Sequence, residues 1–223
     1  MSSINSNLDW EEIHNNRRWG KYPPEELIRF IAKNYYNAEN RHKIKILELG
    51  CGQGANIWYL AKEGFNTFGI DFSKSAINKA KRYLKEEHLE ANLNIGNVEK
   101  INYENEYFNC IIDIQCLQCN TIKQIRNILK EVYRLLNSGG KMFSITFSTE
   151  TYGYGSGDKI EENTFTNVNK QILSGNLHHF FTKEEIVQIY TSIGFKNMKI
   201  DYVVRSYGND KYSSKIWIIE ATK

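Results

Sequence analysis

Proline is almost missing from this chain. Its 223 residues hold two, the adjacent Pro23 and Pro24, beside 4 cysteines and 3 methionines. Long apolar runs are missing too, and none approaches the roughly 20 residues that a membrane-spanning helix needs, so no membrane role is expected. Neither sign of charge dominates: 29 Lys and Arg face 26 Asp and Glu, a net charge of +3. The densest basic groups, Arg41 to Lys45 and Lys79 to Arg82, read as a solvated loop and helix face, which argues against a nucleic-acid partner. The first residues, Met1 to Asn7, lack the basic and apolar regions of a secretory leader, so a cytoplasmic location is expected, with the cysteines as thiols. Cys116 and Cys119 form one C-x-x-C pair without a second, and no metal site is expected. Scarce proline with abundant Asn, Lys and Ile points to an AT-rich, bacterial genome.

What is present is a regular alternation of helix and strand, long enough for one α/β domain. Pro23 and Pro24 open a helix with an apolar stripe at Leu27, Ile28, Ile31, Ala32 and Tyr35. Strands are predicted at 44–49, 65–70, 92–96, 108–114 and 141–147, with helices at 54–63, 74–87 and 121–136. Residues 148–181 show no clear period and read as a long functional loop. Thr182 and Glu185 are spaced as a reciprocal capping box for a helix to Ser192, with Phe181 placed to staple onto Ile186. Residues 195–205 and 215–221 read as a closing strand pair joined at Gly208.

The first predicted strand runs into Glu48-Leu49-Gly50-Cys51-Gly52-Gln53-Gly54, three glycines that let backbone approach a ligand, followed by a helix N-terminus. Gly50-x-Gly52-x-x-Ala55 also satisfies the dinucleotide fingerprint. Asp71 ends the second strand at the length of one β-α-β unit, where a carboxylate reaches the ribose hydroxyls of a bound nucleoside. These features favour adenosine without choosing its cofactor.

The acid two residues before Gly-x-Gly-x-Gly resembles the first motif of the class I S-adenosylmethionine-dependent methyltransferases. Phe108 to Asp113 resembles that family's fourth strand, and Leu135 to Phe143 the turn into its fifth. The resemblance covers roughly residues 44–148. It implies a doubly wound, mostly parallel, seven-stranded Rossmann-like sheet with an antiparallel last strand and helices on both faces. It implies S-adenosylmethionine as cofactor, held by Glu48, Gly50, Cys51, Gly52, Gly54, Asn56, Asp71, Phe72, Asn97, Val98 and Gln115, with Trp19 folding over it. Asn97 and Asn109 stand where the family usually has aspartate; the Asn97 amide still offers an acceptor and a donor to adenine. The chain divides accordingly into an N-terminal lid and helix segment 1–42, a cofactor core 43–148, a substrate loop 149–181 and a C-terminal helix and strand pair 182–223.

Methyl transfer needs alignment of acceptor, methyl and leaving sulfur, and a hydroxyl acceptor also needs its proton removed. His178 and His179, after Gly175 and Asn176, are the candidate bases, with Asp113 a third. Arg17, Tyr22, Tyr152, Tyr154 and Arg205 are candidate substrate contacts. The family members that methylate DNA adenine or glutamine carry a Pro-Pro motif after strand four, which this chain lacks. The resemblance then implies a small metabolite as acceptor, methylated on oxygen as is frequent in the family, and an anionic or sugar- or nucleotide-linked intermediate of surface-polysaccharide or natural-product synthesis is expected, with the enzyme a monomer or homodimer. Two alternatives remain open: an NAD(P)-dependent oxidoreductase, and a catalytically silent nucleoside-binding protein. Tyr207 and Lys211 have the spacing of a reductase pair, but the glycine and asparagine between them spell a turn.

Overall fold

The computed structural model describes residues 6–169, 173 and 177–223, with side chains from Trp10 onward; Gly175 and Asn176 lie outside the described residues. The chain runs α1 (Ser6–Asn16), α2 (Glu25–Tyr35), β1 (Lys45–Leu49), α3 (Ala55–Lys62), β2 (Asn66–Asp71), α4 (Lys74–Glu86), β3 (Asn92–Ile95) and β4 (Phe108–Ile114). It continues with α5 (Ile122–Leu135), β5 (Leu136–Phe147), β6 (Asp158–Glu161), β7 (Thr164–Thr166), β8 (Leu177–His179), α6 (Lys183–Ile193), β9 (Lys196–Tyr207) and β10 (Tyr212–Thr222). Seven strands form one sheet in the order β3-β2-β1-β4-β5-β10-β9. Strands β1 to β5 are parallel, and β10 lies antiparallel to both β5 and β9.

Both faces of the sheet are covered, because successive strand residues point to opposite sides. Leu47, Ile111, Met142 and Trp217 pack with α5 and α6, while their neighbours Ile46, Ile112, Phe143 and Ile216 pack with α2. Helix α5 begins in a reciprocal capping box of Thr121 and Gln124, an arrangement worth about 1 kcal/mol. The pair predicted at Thr182 and Glu185 is only half of one. Thr182 Oγ1 accepts Glu185 N at 3.1 Å, but the Glu185 carboxylate turns to His179 Nε2 at 3.1 Å. Tertiary contact outcompeted the local cap.

Two segments depart from expectation. Residues 6–16 form a helix where only an aromatic, basic lid segment was read. Within residues 148–181, strands β6, β7 and β8 make a small antiparallel sheet instead of an irregular loop. Its strands have three or four residues, too few for a period to show. The small sheet is fastened to the end of β5, where Phe181 N donates to Phe147 O at 2.8 Å and Trp217 Nε1 donates to Phe181 O at 2.8 Å. Among the described residues no helix is long and apolar enough to cross a membrane.

Candidate active site

A cavity of about 660 Å³ opens at the carboxyl ends of β1, β2, β4 and β5, the position where open parallel sheets bind ligands. Its floor is the turn from β1 into α3. Gly50 has φ +58°, and a Cβ there would stand 2.6 Å from Cys116 Sγ, so only glycine lets the turn pass. Gly52 N donates to Asp71 Oδ2 at 2.8 Å, and Ser73 N donates to Asp71 Oδ1 at 2.8 Å. Each carboxylate oxygen keeps a further lone pair for a ligand.

Glu48 lies under this turn, 2 % exposed. Its Oε1 accepts Asn56 Nδ2 at 2.5 Å, whereas Glu48 Oε2 and Asn56 Oδ1 are buried without a hydrogen-bond partner among the described residues. Burial pushes the Glu48 carboxyl well above the usual carboxylate range and also raises Asp71, whose backbone hydrogen bonds oppose the shift. Two unpaired acceptors and two desolvated acids ask for a ligand that brings donors and positive charge. Among the described residues the wall bears the carboxylates Glu26, Glu48, Asp71 and Glu99 and one guanidinium, Arg205, whose Nη2 already pairs with Glu26 Oε1 at 3.3 Å. A dinucleotide's pyrophosphate finds no free cation there among the described residues. The ammonium and sulfonium of S-adenosylmethionine match the acids, and its ribose diol matches Asp71.

Residues 46–140 match the family described as a methyltransferase domain. The match spans less than half of the chain, and it supports a class I S-adenosylmethionine-dependent methyltransferase. A ubiquinone biosynthesis O-methyltransferase of Coxiella burnetii is 27% identical over 163 residues, 69% of each chain. The tRNA N(3)-methylcytidine methyltransferase trm140 of Schizosaccharomyces pombe is 27% identical over 201 residues, 83% of this chain and 59% of that protein. A SAM-dependent methyltransferase from Methanosarcina mazei shares the fold with a TM-score of 0.72 at 22% identity, covering 91% of this chain and 98% of its own.

The cofactor candidates Glu48, Gly50, Cys51, Gly52, Asn56, Asp71, Phe72, Asn97, Val98, Gln115 and Trp19 all line the cavity. Gly54 does not. It precedes α3 at φ +84°, and a Cβ on it would stand 2.9 Å from Ala80 Cβ, so its smallness serves the approach of α4. Asn97 Oδ1 accepts Glu99 N at 2.8 Å, which leaves its amide N–H for an adenine edge. Asn109 Oδ1 accepts Lys45 N at 2.9 Å and joins two strands, away from the cavity.

The candidate bases separate sharply. His178 lines the cavity between Phe147 and Phe180, with ring centroids at 6.1 and 6.2 Å. His179, the next residue of β8, points the opposite way and is fully buried. Its Nδ1 meets Thr164 Oγ1 at 2.7 Å and its Nε2 meets Glu185, so it joins the small sheet to α6 and is no base for a substrate. Asp113 is likewise displaced from catalysis. It is fully buried off the cavity, where one oxygen accepts Cys116 N at 2.8 Å and Leu117 N at 2.9 Å and the other accepts Ser144 Oγ. Burial raises it to about 6.

Of the substrate candidates, Tyr22 and Arg205 line the cavity. Arg17 stacks on Trp19 at 5.3 Å outside it. Tyr152 and Tyr154 border a separate shallow depression, where Tyr152 packs on Tyr212 and Tyr154 Oη bonds Asn163 Oδ1 at 2.9 Å. Both tyrosines are consumed in holding their own segment. Sequence reasoning missed His14, Gln53, Glu26 and Gln118, which also line the cavity. Gln118 Oε1 accepts Phe147 N at 2.8 Å. No spacing rule marks such residues, because their partners are remote in sequence.

Proposed function

We propose that this methyltransferase is a cytoplasmic enzyme, monomer or homodimer, that methylates a hydroxyl oxygen of a small metabolite, all four segments of the chain acting as one catalytic domain. The observation that carries this reading is His178 on a largely apolar wall. On the β5 and β10 side of the sheet Ile145, Phe147 and Ile216 line the cavity with Ile114 of β4, and His178 stands 6.1 Å from Phe147. Sites that bind small molecules are of this size and kind, largely apolar with a few placed polar groups.

S-adenosylmethionine supplies an electrophilic methyl group on a sulfonium that leaves as a neutral thioether. The chain supplies the rest. Glu48 and Asn56 present acceptors for the ammonium, Asp71 for the ribose hydroxyls, and Asn97 an amide for the adenine. The apolar wall excludes water and orients the acceptor, and alignment of this kind is worth on the order of 7–11 kcal/mol. His178 takes the hydroxyl proton as the oxygen becomes nucleophilic, a contribution of about 10²–10⁴ in rate.

Arg205 of the cavity wall does not favour an anionic acceptor, since it is paired with Glu26. A neutral, hydroxyl-bearing ring or sugar fits the wall better, and the name of the Coxiella burnetii relative supports oxygen as the methylated atom. Incubation of the enzyme with isotopically labelled S-adenosylmethionine, a metabolite extract and bulk tRNA tests this by mass spectrometry. Label is expected in a small hydroxylated product. Label in RNA, or only in an amine, sinks the proposal.

A further inference from the structure

The glycine turn also holds down the N-terminal segment. Gln53, between Gly52 and Gly54, donates from its amide nitrogen to Arg17 O at 2.8 Å, and the same nitrogen lies 3.4 Å from His14 O and from His14 Nδ1. Its amide oxygen accepts Trp19 N at 3.1 Å. Glu11 adds a second fastening, with Oε2 accepting Ser73 Oγ at 2.5 Å and Oε1 accepting Ser75 N at 3.2 Å. Lys79 Nζ adds a third by donating to His14 O and Asn15 O. All these anchors belong to the glycine turn or to the loop and helix that follow Asp71.

The fastenings place His14 inside the cofactor end of the cavity. It is 5 % exposed, its ring lies 5.8 Å from both Trp10 and Trp19, and Cε1 stands 3.4 Å from the point a Cβ on Gly52 would occupy. The same Gly52 donates its N–H to Asp71. Burial lowers the imidazole pKa against the pull of Asp71, which favours the neutral ring. A neutral ring that accepts the Gln53 amide at Nδ1 carries its proton on Nε2. His14 then offers a donor where Asp71 offers acceptors, the two functions that a vicinal diol requires.

We infer that His14 is a cofactor-contacting residue, its Nε2–H and the Asp71 carboxylate forming two sides of the slot for the ribose of S-adenosylmethionine, with Gln53 the positioning residue that seats it. The N-terminal segment is then part of the cofactor site. This rests on the methyltransferase reading, and the experiment separates the two. Calorimetric titration of S-adenosylhomocysteine and its 2′-deoxy and 3′-deoxy analogues is compared for wild type, H14A, H14Q and Q53A. H14A is expected to bind S-adenosylhomocysteine about tenfold more weakly, one hydrogen bond's worth, with a much smaller loss for at least one deoxy analogue. H14Q keeps a side-chain N–H and recovers most of the affinity, which also covers the case of an H14A that does not fold. Q53A is expected to lose about threefold and to blunt the change in Trp10 and Trp19 fluorescence on binding. Wild-type affinity in H14A, or an equal loss for all three ligands, overturns the role of His14. No binding by the wild type overturns the methyltransferase reading instead.

Discussion

At the Glu48–Asp71 end of the cavity the walls come from one β-α-β unit, the turns beside it and the N-terminal helix fastened over them, whereas at the Phe147–His178 end they come from segments spread between Tyr22 and Ile216. The first end is polar and acid-rich. The second is largely apolar, with one imidazole, the Gln118 amide and the Arg205–Glu26 ion pair. A cofactor common to many enzymes can be held by a compact local unit, because the same few hydrogen bonds serve every member. An acceptor particular to one enzyme is enclosed by loops and strand ends, which vary without disturbing the sheet.

Changes at the two ends should therefore separate. The largest effect is expected from H178A, which should lower kcat by about 10²–10⁴ while leaving the calorimetric Kd for S-adenosylhomocysteine within about twofold. A parallel loss of cofactor affinity would erase the distinction between the ends. Asp71→Ala should do the converse, weakening S-adenosylhomocysteine on the order of 100-fold through lost charged hydrogen bonds and abolishing the rise in Tm that the ligand brings. Unchanged affinity would remove Asp71 from the ribose site.

The neighbouring H179A sharpens the comparison within β8. It leaves Thr164 and Glu185 without their partner, so a stability loss of about 1–3 kcal/mol is expected by denaturant unfolding, with kcat of the surviving folded enzyme nearly intact. The smallest effect on activity belongs to D113N, whose amide oxygen can still accept Cys116 N and Leu117 N; the turnover should stay within about threefold. A loss like that of H178A would restore Asp113 as the base.

Asp113 also carries a pH signature. Its folded-state value is raised to about 6 from an ordinary value of about 3.9. The folded state therefore binds the proton more tightly, and for this group stability rises as pH falls through that window. The stability difference between wild type and D113N should shift in favour of wild type between pH 7 and pH 4, by up to about 3 kcal/mol. A flat difference would mean that Asp113 ionises at no cost.

Strands β1, β2 and β4, helix α5 and the Glu48–Gly54 and Asp71 motifs were legible because each depends on contacts within a few residues or one repeat of the fold. The capping box at Thr182 was misread for the opposite reason: Glu185 found His179, a partner from another element. Helix α1 carries no strong apolar stripe of its own and is fixed by Glu11, His14 and Lys79 across to α4 and the glycine turn. The pair His178 and His179 shows the limit in one step. Both were equal candidates by type and place, and only the alternation of a three-residue strand docked on β5 turned one inward and the other away.

Local order and chemical type were thus set by the chain itself: a doubly wound sheet, a turn that only glycine permits, and acids placed for a cationic nucleoside cofactor. Which of those groups meet a ligand was decided in three dimensions. Burial left Glu48 Oε2 unpaired, Glu26 cancelled Arg205, and the N-terminal helix brought His14 over Gly52. The physical reason is that hydrogen-bond satisfaction and desolvation depend on neighbours distant in sequence, and no spacing along the chain records them.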